Sequence, residues 1–277
     1  MSETRLSQPQ LLEEFHEQGF VVVPDALSSE QVSAFNRAVD QYLKEFPEEW
    51  IHFNESLVQT VNVLPHTSDF DLAIENPVTL HILRGLLGEK ISFEEFSILI
   101  RYPTARTMDM KSWHRDITRD YERRMEIQAI SLIYYLRDVT ESDHCFSIIP
   151  KSHNRLVDLK PDDVNPGAEC DVLGAAGSAL ICHARCLHSG KLKPNSRERR
   201  TLHLYYARSD QARTSEWSDI PERLYAKVDP VLPPRLYSKW NVTEVFEGTG
   251  KKPKDLDPSM SAAEMIKEVQ RRANKAR

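Results

Sequence analysis

The feature that most limits the fold of this chain is a change of rhythm near residue 91. From there on, short β-rich runs recur at Phe96–Tyr102, Ile127–Leu136, Cys145–Ile149, Ser178–Cys182 and Thr201–Ala207, separated by polar turns. Runs of this length and spacing predict an antiparallel sandwich or barrel. Before them the pattern is mostly helical. Leu11, Leu12 and Phe15 form a short apolar stripe stopped by Gly19, and Phe20–Pro24 reads as a short strand. Ser28 and Gln31 have the spacing of a capping box, followed by Val32, Phe35, Val39, Tyr42 and Leu43 at helical intervals. Asn76-Pro77 opens a further helix, closed by Gly88. The predicted architecture is mainly β with flanking helices. The 277 residues are read as one domain: 1–90 as N-terminal helical support, 91–207 as the β core, and 208–277 as a proline-rich excursion ending in a helix capped by Ser261 and Glu264.

Composition excludes several classes of partner. Asp plus Glu exceed Lys plus Arg, 42 to 36, for a net charge of −6. A mildly acidic chain lacks the basic surface that generic nucleic-acid binding needs, and no polybasic cluster suits an anionic membrane. No apolar run approaches the length of a spanning helix, and the N-terminus does not read as a secretory signal. Four cysteines without a CxxC pair fit a reducing, cytoplasmic setting. The expected partner is a small molecule, and oligomeric state is open.

The chemistry is concentrated in Trp113-His114-Arg115-Asp116. Residues two apart on an extended chain project to the same side, so His114 and Asp116 can reach one metal ion together. A third ligand must come from elsewhere, and His188, after the 178–182 run, is the natural choice. Two imidazoles and one carboxylate make the facial triad of non-heme Fe(II) oxygenases, with adjacent coordination positions left open. An isolated His-x-Asp is weak and reads equally well as a solvated loop. The basic run Arg197, Arg199 and Arg200 ahead of Thr201-Leu202-His203-Leu204 adds weight. Alternation puts Arg199, Thr201 and His203 on one face and Arg200, Leu202 and Leu204 on the other. The second face looks like packing. The first looks like an anion site, because an arginine entering a barrel is costly unless an anion meets it.

At this point the sequence resembles the phytanoyl-CoA dioxygenase family of Fe(II)/2-oxoglutarate-dependent oxygenases. The segment LLEEFHEQGFVVVPDALSSEQV resembles its N-terminal helix, strand and second helix, and SWHRD its metal motif. YYLRDVTESDHCFSIIPKSH and ICHARCLHSG resemble its central strand pair and its distal-histidine strand. The resemblance covers roughly residues 9–207. It implies a double-stranded β-helix (a cupin-like jelly-roll) and an enzyme that consumes 2-oxoglutarate and O2 to oxidise a C–H bond, most simply by hydroxylation. It further implies His114, Asp116 and His188 as Fe(II) ligands and Arg199 as the clamp for the distal carboxylate of 2-oxoglutarate, with Thr201, Arg101 and Gln128 as further contacts. Arg101 is placed to touch the cosubstrate or an acidic substrate, with a surface salt bridge as the alternative. Two departures stand out: Asp143-His144 replaces an asparagine-glycine turn, and Lys151 replaces the glycine of a PGSH segment. Asp116 favours oxygenation over halogenation, which in related enzymes uses a small residue there.

The remaining candidates have bland readings beside the functional ones. Tyr134 and Tyr135 read as core. The sequence leaves open which parity of 127–136 lines the pocket. His183 reads as structural, His153 as a turn cap, His144 as a loop residue able to face substrate, and His203 as the most interesting spare histidine. Arg119, Arg123 and Arg124 would suit an anionic substrate, and Asp109, Asp120 and Glu122 an amine. A solvated charge run accounts for both sets equally well. The rival functions are a catalytically silent jelly-roll that binds a metal or ligand, a zinc hydrolase, and the same oxygenase performing desaturation or alcohol or amine oxidation.

Overall fold

A computed structural model describes residues 6–104, 113–117, 127–154, 167–194, 197–210 and 218–237. The helical N-terminal part holds α1 (Gln8–Gln18), α2 (Ser29–Glu45), the short α3 (Asp71–Ile74) and α4 (Pro77–Leu87). Local chemistry sets their ends. The Ser28 hydroxyl accepts from Gln31 N–H at 3.3 Å while Ser28 N–H donates to Gln31 Oε1 at 2.8 Å. Asn76 accepts from Val78 and Thr79 N–H, with Pro77 in the first turn of α4. Gly19 ends α1 with φ of 87°. A Cβ there would lie 2.3 Å from His153 Nδ1 and 2.4 Å from Cys186 Sγ, so only glycine lets α1 close against the turn leading to His188.

Among the described residues, ten strands form two sheets. β1 (Phe20–Val23), β2 (Ile51–Asn54), β3 (Leu57–Thr60), β4 (Ile91–Arg101), β5 (Ala129–Tyr135), β8 (Ala179–His183) and β10 (Arg199–Arg208) build a seven-stranded sheet in the order β1-β8-β5-β10-β4-β3-β2. β6 (Cys145–Ile148), β7 (Cys170–Val172) and β9 (His188–Lys191) form a second sheet in the order β7-β6-β9. Every pairing is antiparallel. An isolated bridge between His114 and His188 extends the small sheet. The two sheets make a jelly-roll core, as the resemblance implied.

All five predicted β runs form strands. The 1–90 segment departs from its reading as helical support, because it also supplies β1, β2 and β3 to the large sheet. β2 and β3 are only four residues long; β2 forms a sheet edge, and β3, though its burial alternates, buries a threonine at one of its two inward positions, so neither carries a clear apolar signal. The predicted C-terminal helix from Ser261 lies outside the described residues.

The large sheet has two different faces. One packs on the helices: Val21, Ile98, Ile100, Ile130, Leu132, Tyr134, Leu202, Leu204 and Tyr206 share a buried cluster with Phe15, Phe35, Val39 and Leu83. The other faces the small sheet, where Ile133, Tyr135, Leu180 and Cys182 meet Cys145, Phe146, Ile148 and Val172. Full burial of each such aliphatic side chain contributes roughly 1.5–3 kcal/mol. Among the described residues, no helix is long and apolar enough to cross a membrane.

Candidate active site

The site is built where the 113–117 segment meets the start of β9. Backbone pairing brings its halves together: His114 N–H donates to His188 O and His188 N–H to His114 O, both at 3.0 Å. Asp116 N–H donates to Ala184 O at 3.0 Å. Between them, Arg115 turns away and donates to Ser152 O at 3.0 Å and to Arg185 O. The His-x-Asp triplet is therefore stitched on its backbone to the turn that carries His188.

One ligand atom from each of His114, Asp116 and His188 lies within 4.8 Å of the others. Asp116 Oδ1 is 3.8 Å from His114 Nε2 and 3.4 Å from His188 Nε2. His188 is buried against the Phe146 ring, at 4.8 Å between centroids, whereas His114 is exposed. His188 Nδ1 lies 3.0 Å from the Cys186 carbonyl, which assigns the proton to Nδ1 and leaves the Nε2 lone pair for a metal. Tyr205 donates to Asp116 Oδ2 at 2.8 Å, fixing the carboxylate with Oδ1 toward the imidazoles. Burial works to raise the Asp116 pKa, but the two imidazoles and the Tyr205 hydroxyl outweigh it and hold the carboxyl below its ordinary range. Burial works to lower the His188 pKa, and Asp116 with the Cys186 carbonyl reverses that, leaving it raised. Two imidazole nitrogens and one carboxylate oxygen that converge in this way are a donor set that fits a divalent transition metal.

A polar strip leads away from this cluster along β10. Arg199, Thr201, His203 and Tyr205 share one face, and the β5 residues opposite the last three are Tyr135, Ile133 and Ser131. The odd-numbered residues of β5 therefore line the inter-sheet space. Gln128 is placed otherwise. It precedes β5, its carbonyl accepts from Arg208 N–H at 3.2 Å, and its parity is that of Ile130 and Leu132 on the helix side. The structure does not bring it to the strip. Thr201 Oγ1 and His203 Nε2 are hydrogen-bonded at 2.9 Å. His203 is pulled down to about 3 by burial and then by the Arg199 charge, while Asp116 pulls the other way. It is a neutral imidazole between the guanidinium and the metal-capable cluster.

Arg199 is 7% exposed, and its Nε is buried without a hydrogen-bond partner. Burial lowers its pKa. Arg101 is its Cα partner across β4 and β10 and is 6% exposed, a buried position and not a surface one, with no salt bridge among the described residues.

Other histidines fall into structural roles. His183 stacks on Phe15, and its Nδ1 accepts from Arg185 N–H at 3.1 Å. Burial, followed by His153 and Arg185, pulls its pKa down to about 3. His153 Nε2 is 3.2 Å from the His16 carbonyl. His144 does not face a substrate as a free loop residue. It is fully buried, its Nδ1 accepts from Lys193 N–H at 3.0 Å, and its Nε2 lies 3.2 Å from Tyr102 O. Asp143, beside it, binds Thr140 and Arg197. Lys151 has φ of 62°, the left-handed conformation that explains a glycine at this point in the family pattern, and its N–H donates to Gln18 O at 2.8 Å. Asp109, Arg119, Asp120, Glu122, Arg123 and Arg124 lie outside the described residues.

Tyr205, Arg115 and the Cys186 carbonyl were not singled out from the sequence. Only Tyr205 left a signal, since it continues the alternation that groups Arg199, Thr201 and His203.

Fold and site together define a jelly-roll protein with a metal-capable His/Asp/His cluster beside a buried arginine. The model of the phytanoyl-CoA dioxygenase (PhyH) family matches residues 15–201, and the chain belongs to that family. It is an enzyme of the 2-oxoglutarate-dependent oxygenase type. Among curated protein sequences no match is found. Solved structures share the fold. The epimerase SnoN, in complex with Fe3+, alpha ketoglutarate and nogalamycin RO, is 16% identical with a TM-score of 0.63, over 90% of this chain and 96% of its own. The carbocyclase SnoK from nogalamycin biosynthesis is 20% identical with a TM-score of 0.60, over 74% and 87%. HygX from Streptomyces hygroscopicus, with nickel, 2-oxoglutarate and hygromycin B bound, is 16% identical with a TM-score of 0.60, over 74% and 88%.

Proposed function

We propose that this enzyme binds Fe(II) through His114, Asp116 and His188 and oxidises a C–H bond of a small-molecule substrate, with hydroxylation as the outcome. The observation that carries this reading is the convergence of three metal-ligand atoms at the end of a polar strip that also holds a buried guanidinium, whose Nε has no hydrogen-bond partner among the described residues. When bound, the metal with 2-oxoglutarate and O2 supplies the oxidising power, and 2-oxoglutarate leaves as succinate and CO2.

The chain's own residues have separate tasks. His188 presents Nε2 because its Nδ1 is engaged by the Cys186 carbonyl, and Tyr205 fixes the Asp116 carboxylate. Arg199 receives the carboxylate of 2-oxoglutarate remote from the metal, and the Thr201 hydroxyl lies next along the same strip. Gln128 stands off this strip and is not assigned a contact. Ile133 and Leu180 give the space an apolar wall that excludes water from the reacting carbon. The carboxylate at Asp116 occupies the position that halogenation would need vacant. A zinc hydrolase gives no reason for Arg199. The whole chain acts as one unit on a small molecule, without nucleic acid or membrane. A reducing cytoplasm suits its four free cysteines.

The test is succinate formation from 2-oxoglutarate with Fe(II), across a substrate panel. His114→Ala and Asp116→Ala are expected to lower it at least about 100-fold while the proteins stay folded. Undiminished turnover in both would refute the metal assignment. Product mass separates hydroxylation, a gain of one oxygen, from desaturation, a loss of two hydrogens.

A further inference from the structure

The pocket face buries two guanidiniums where one oxoacid needs one. Arg101 ends β4, Arg199 begins β10, and the two are Cα partners. Neither has a carboxylate partner among the described residues, and Arg101 is pulled down to about 10 by burial and by the Arg199 charge. The other groups near Arg199 do not compensate. Tyr135 keeps its proton, which it donates to Val172 O, and burial keeps the Cys145 thiol protonated. His144 is neutral, lowered by burial and by both arginines.

Several other arginines near the site or at the surface are met by carboxylates. Arg200, one residue further on the opposite face, is held by Glu198 and by Asp40. Arg197 binds Asp143, Arg208 binds Asp210, and Arg223 binds Asp71. Two adjacent buried cations are an expensive arrangement unless an anion meets them. Filling the pocket must supply the missing charge. The distal carboxylate of 2-oxoglutarate brings one negative charge to this pair and leaves one cation uncompensated.

Resting on the reading of Arg199 as the 2-oxoglutarate clamp, we propose that Arg101 is the recognition point for an anionic group on the substrate, and that the substrate class is an organic acid bound through its carboxylate. A carboxylate is favoured over a phosphate dianion because a single positive charge is left over. Its two oxygens also match the planar fork of one guanidinium.

The experiment uses the full chain loaded with Mn(II) and saturating 2-oxoglutarate, which holds the site without turnover. Matched probes, hexanoate with hexanamide and benzoate with benzamide, are titrated and read by calorimetry and by thermal shift. At least one carboxylate is expected to bind about 10-fold or more tightly than its amide. Arg101→Gln should erase that preference and change the 2-oxoglutarate Kd less than about 3-fold. Arg101→Lys, which keeps the charge, should retain part of the preference and serves as the readout if Arg101→Gln does not fold. Arg101→Gln weakening 2-oxoglutarate as much as Arg199→Gln would overturn the proposal, since both guanidiniums would then hold the cosubstrate. Equal binding of acids and amides by the unmodified protein would overturn it as well. Arg199→Gln leaving 2-oxoglutarate binding intact would instead remove the underlying assignment of the clamp.

Discussion

Along β10, Leu202, Leu204 and Tyr206 sink into the helix-backed cluster, while Arg199, Thr201, His203 and Tyr205 face the space between the sheets. The strand is the same and the offset is one residue. On the first face Leu202 and Leu204 find apolar neighbours, Tyr206 also reaches a carbonyl at 2.7 Å, and Arg200 is met by Asp40 and Glu198. On the second face an arginine is buried without a counterion among the described residues, and an imidazole is held neutral. The helix-backed face stabilises the fold. A buried charge on the other face costs stability unless a ligand meets it, as the proposed cosubstrate would.

That contrast can be broken from either side. Leu204→Ala, on the packed face, should lower unfolding stability by about 2–5 kcal/mol through lost burial and a residual cavity. Metal binding per folded molecule should be unchanged, which a melt paired with a metal titration would show. Arg199→Met, on the pocket face, should act in the opposite direction. Removing an uncompensated buried charge is expected to raise the stability of the metal-free, ligand-free protein by about 1–4 kcal/mol while abolishing 2-oxoglutarate binding. A destabilised Arg199→Met with normal 2-oxoglutarate affinity would erase the distinction between the faces.

Acid should also act, through one histidine on each face of the large sheet. His183 and His203 titrate near 3 when folded and near 6.5 when unfolded, so between these values the unfolded chain binds more protons than the folded one. Stability from this source is complete above about pH 6.5 and falls as pH drops toward 3, by up to roughly 1.4 kcal/mol per pH unit for each histidine. Urea melts across that window should show this slope, and His203→Gln should flatten it. The smallest expected effect belongs to Tyr205→Phe. Loss of the hydrogen bond to Asp116 should weaken metal affinity about 10-fold with little change in the melting temperature. An unchanged metal Kd would make Tyr205 a packing residue only.

The same contrast explains what the sequence made legible. The period-two pattern of β10 and the capping residues of α2 and α4 are local signals, and they predicted elements the structure contains. His114 and Asp116 were legible because a two-residue spacing dictates a shared side. Arg199 was legible because an arginine alternating into an otherwise apolar strand is unusual. His144 was misread because its burial depends on backbone from Tyr102 and Lys193, far away in sequence. β9 reads His-Ser-Gly-Lys and has little intrinsic strand preference, so its pairing with β6 creates it. The Cys186 carbonyl and the anchoring of Arg115 depend on the shape of one turn, which no side-chain pattern encodes.

The most direct test of the central claim is calorimetric titration of 2-oxoglutarate into the protein under anaerobic conditions, with and without Fe(II). One equivalent should bind in the presence of the metal. Binding should be lost in His188→Ala because the metal is lost, and in Arg199→Gln although the metal remains. Metal-independent binding of 2-oxoglutarate, or full binding in both variants, would contradict a site built from three convergent ligands and one waiting guanidinium.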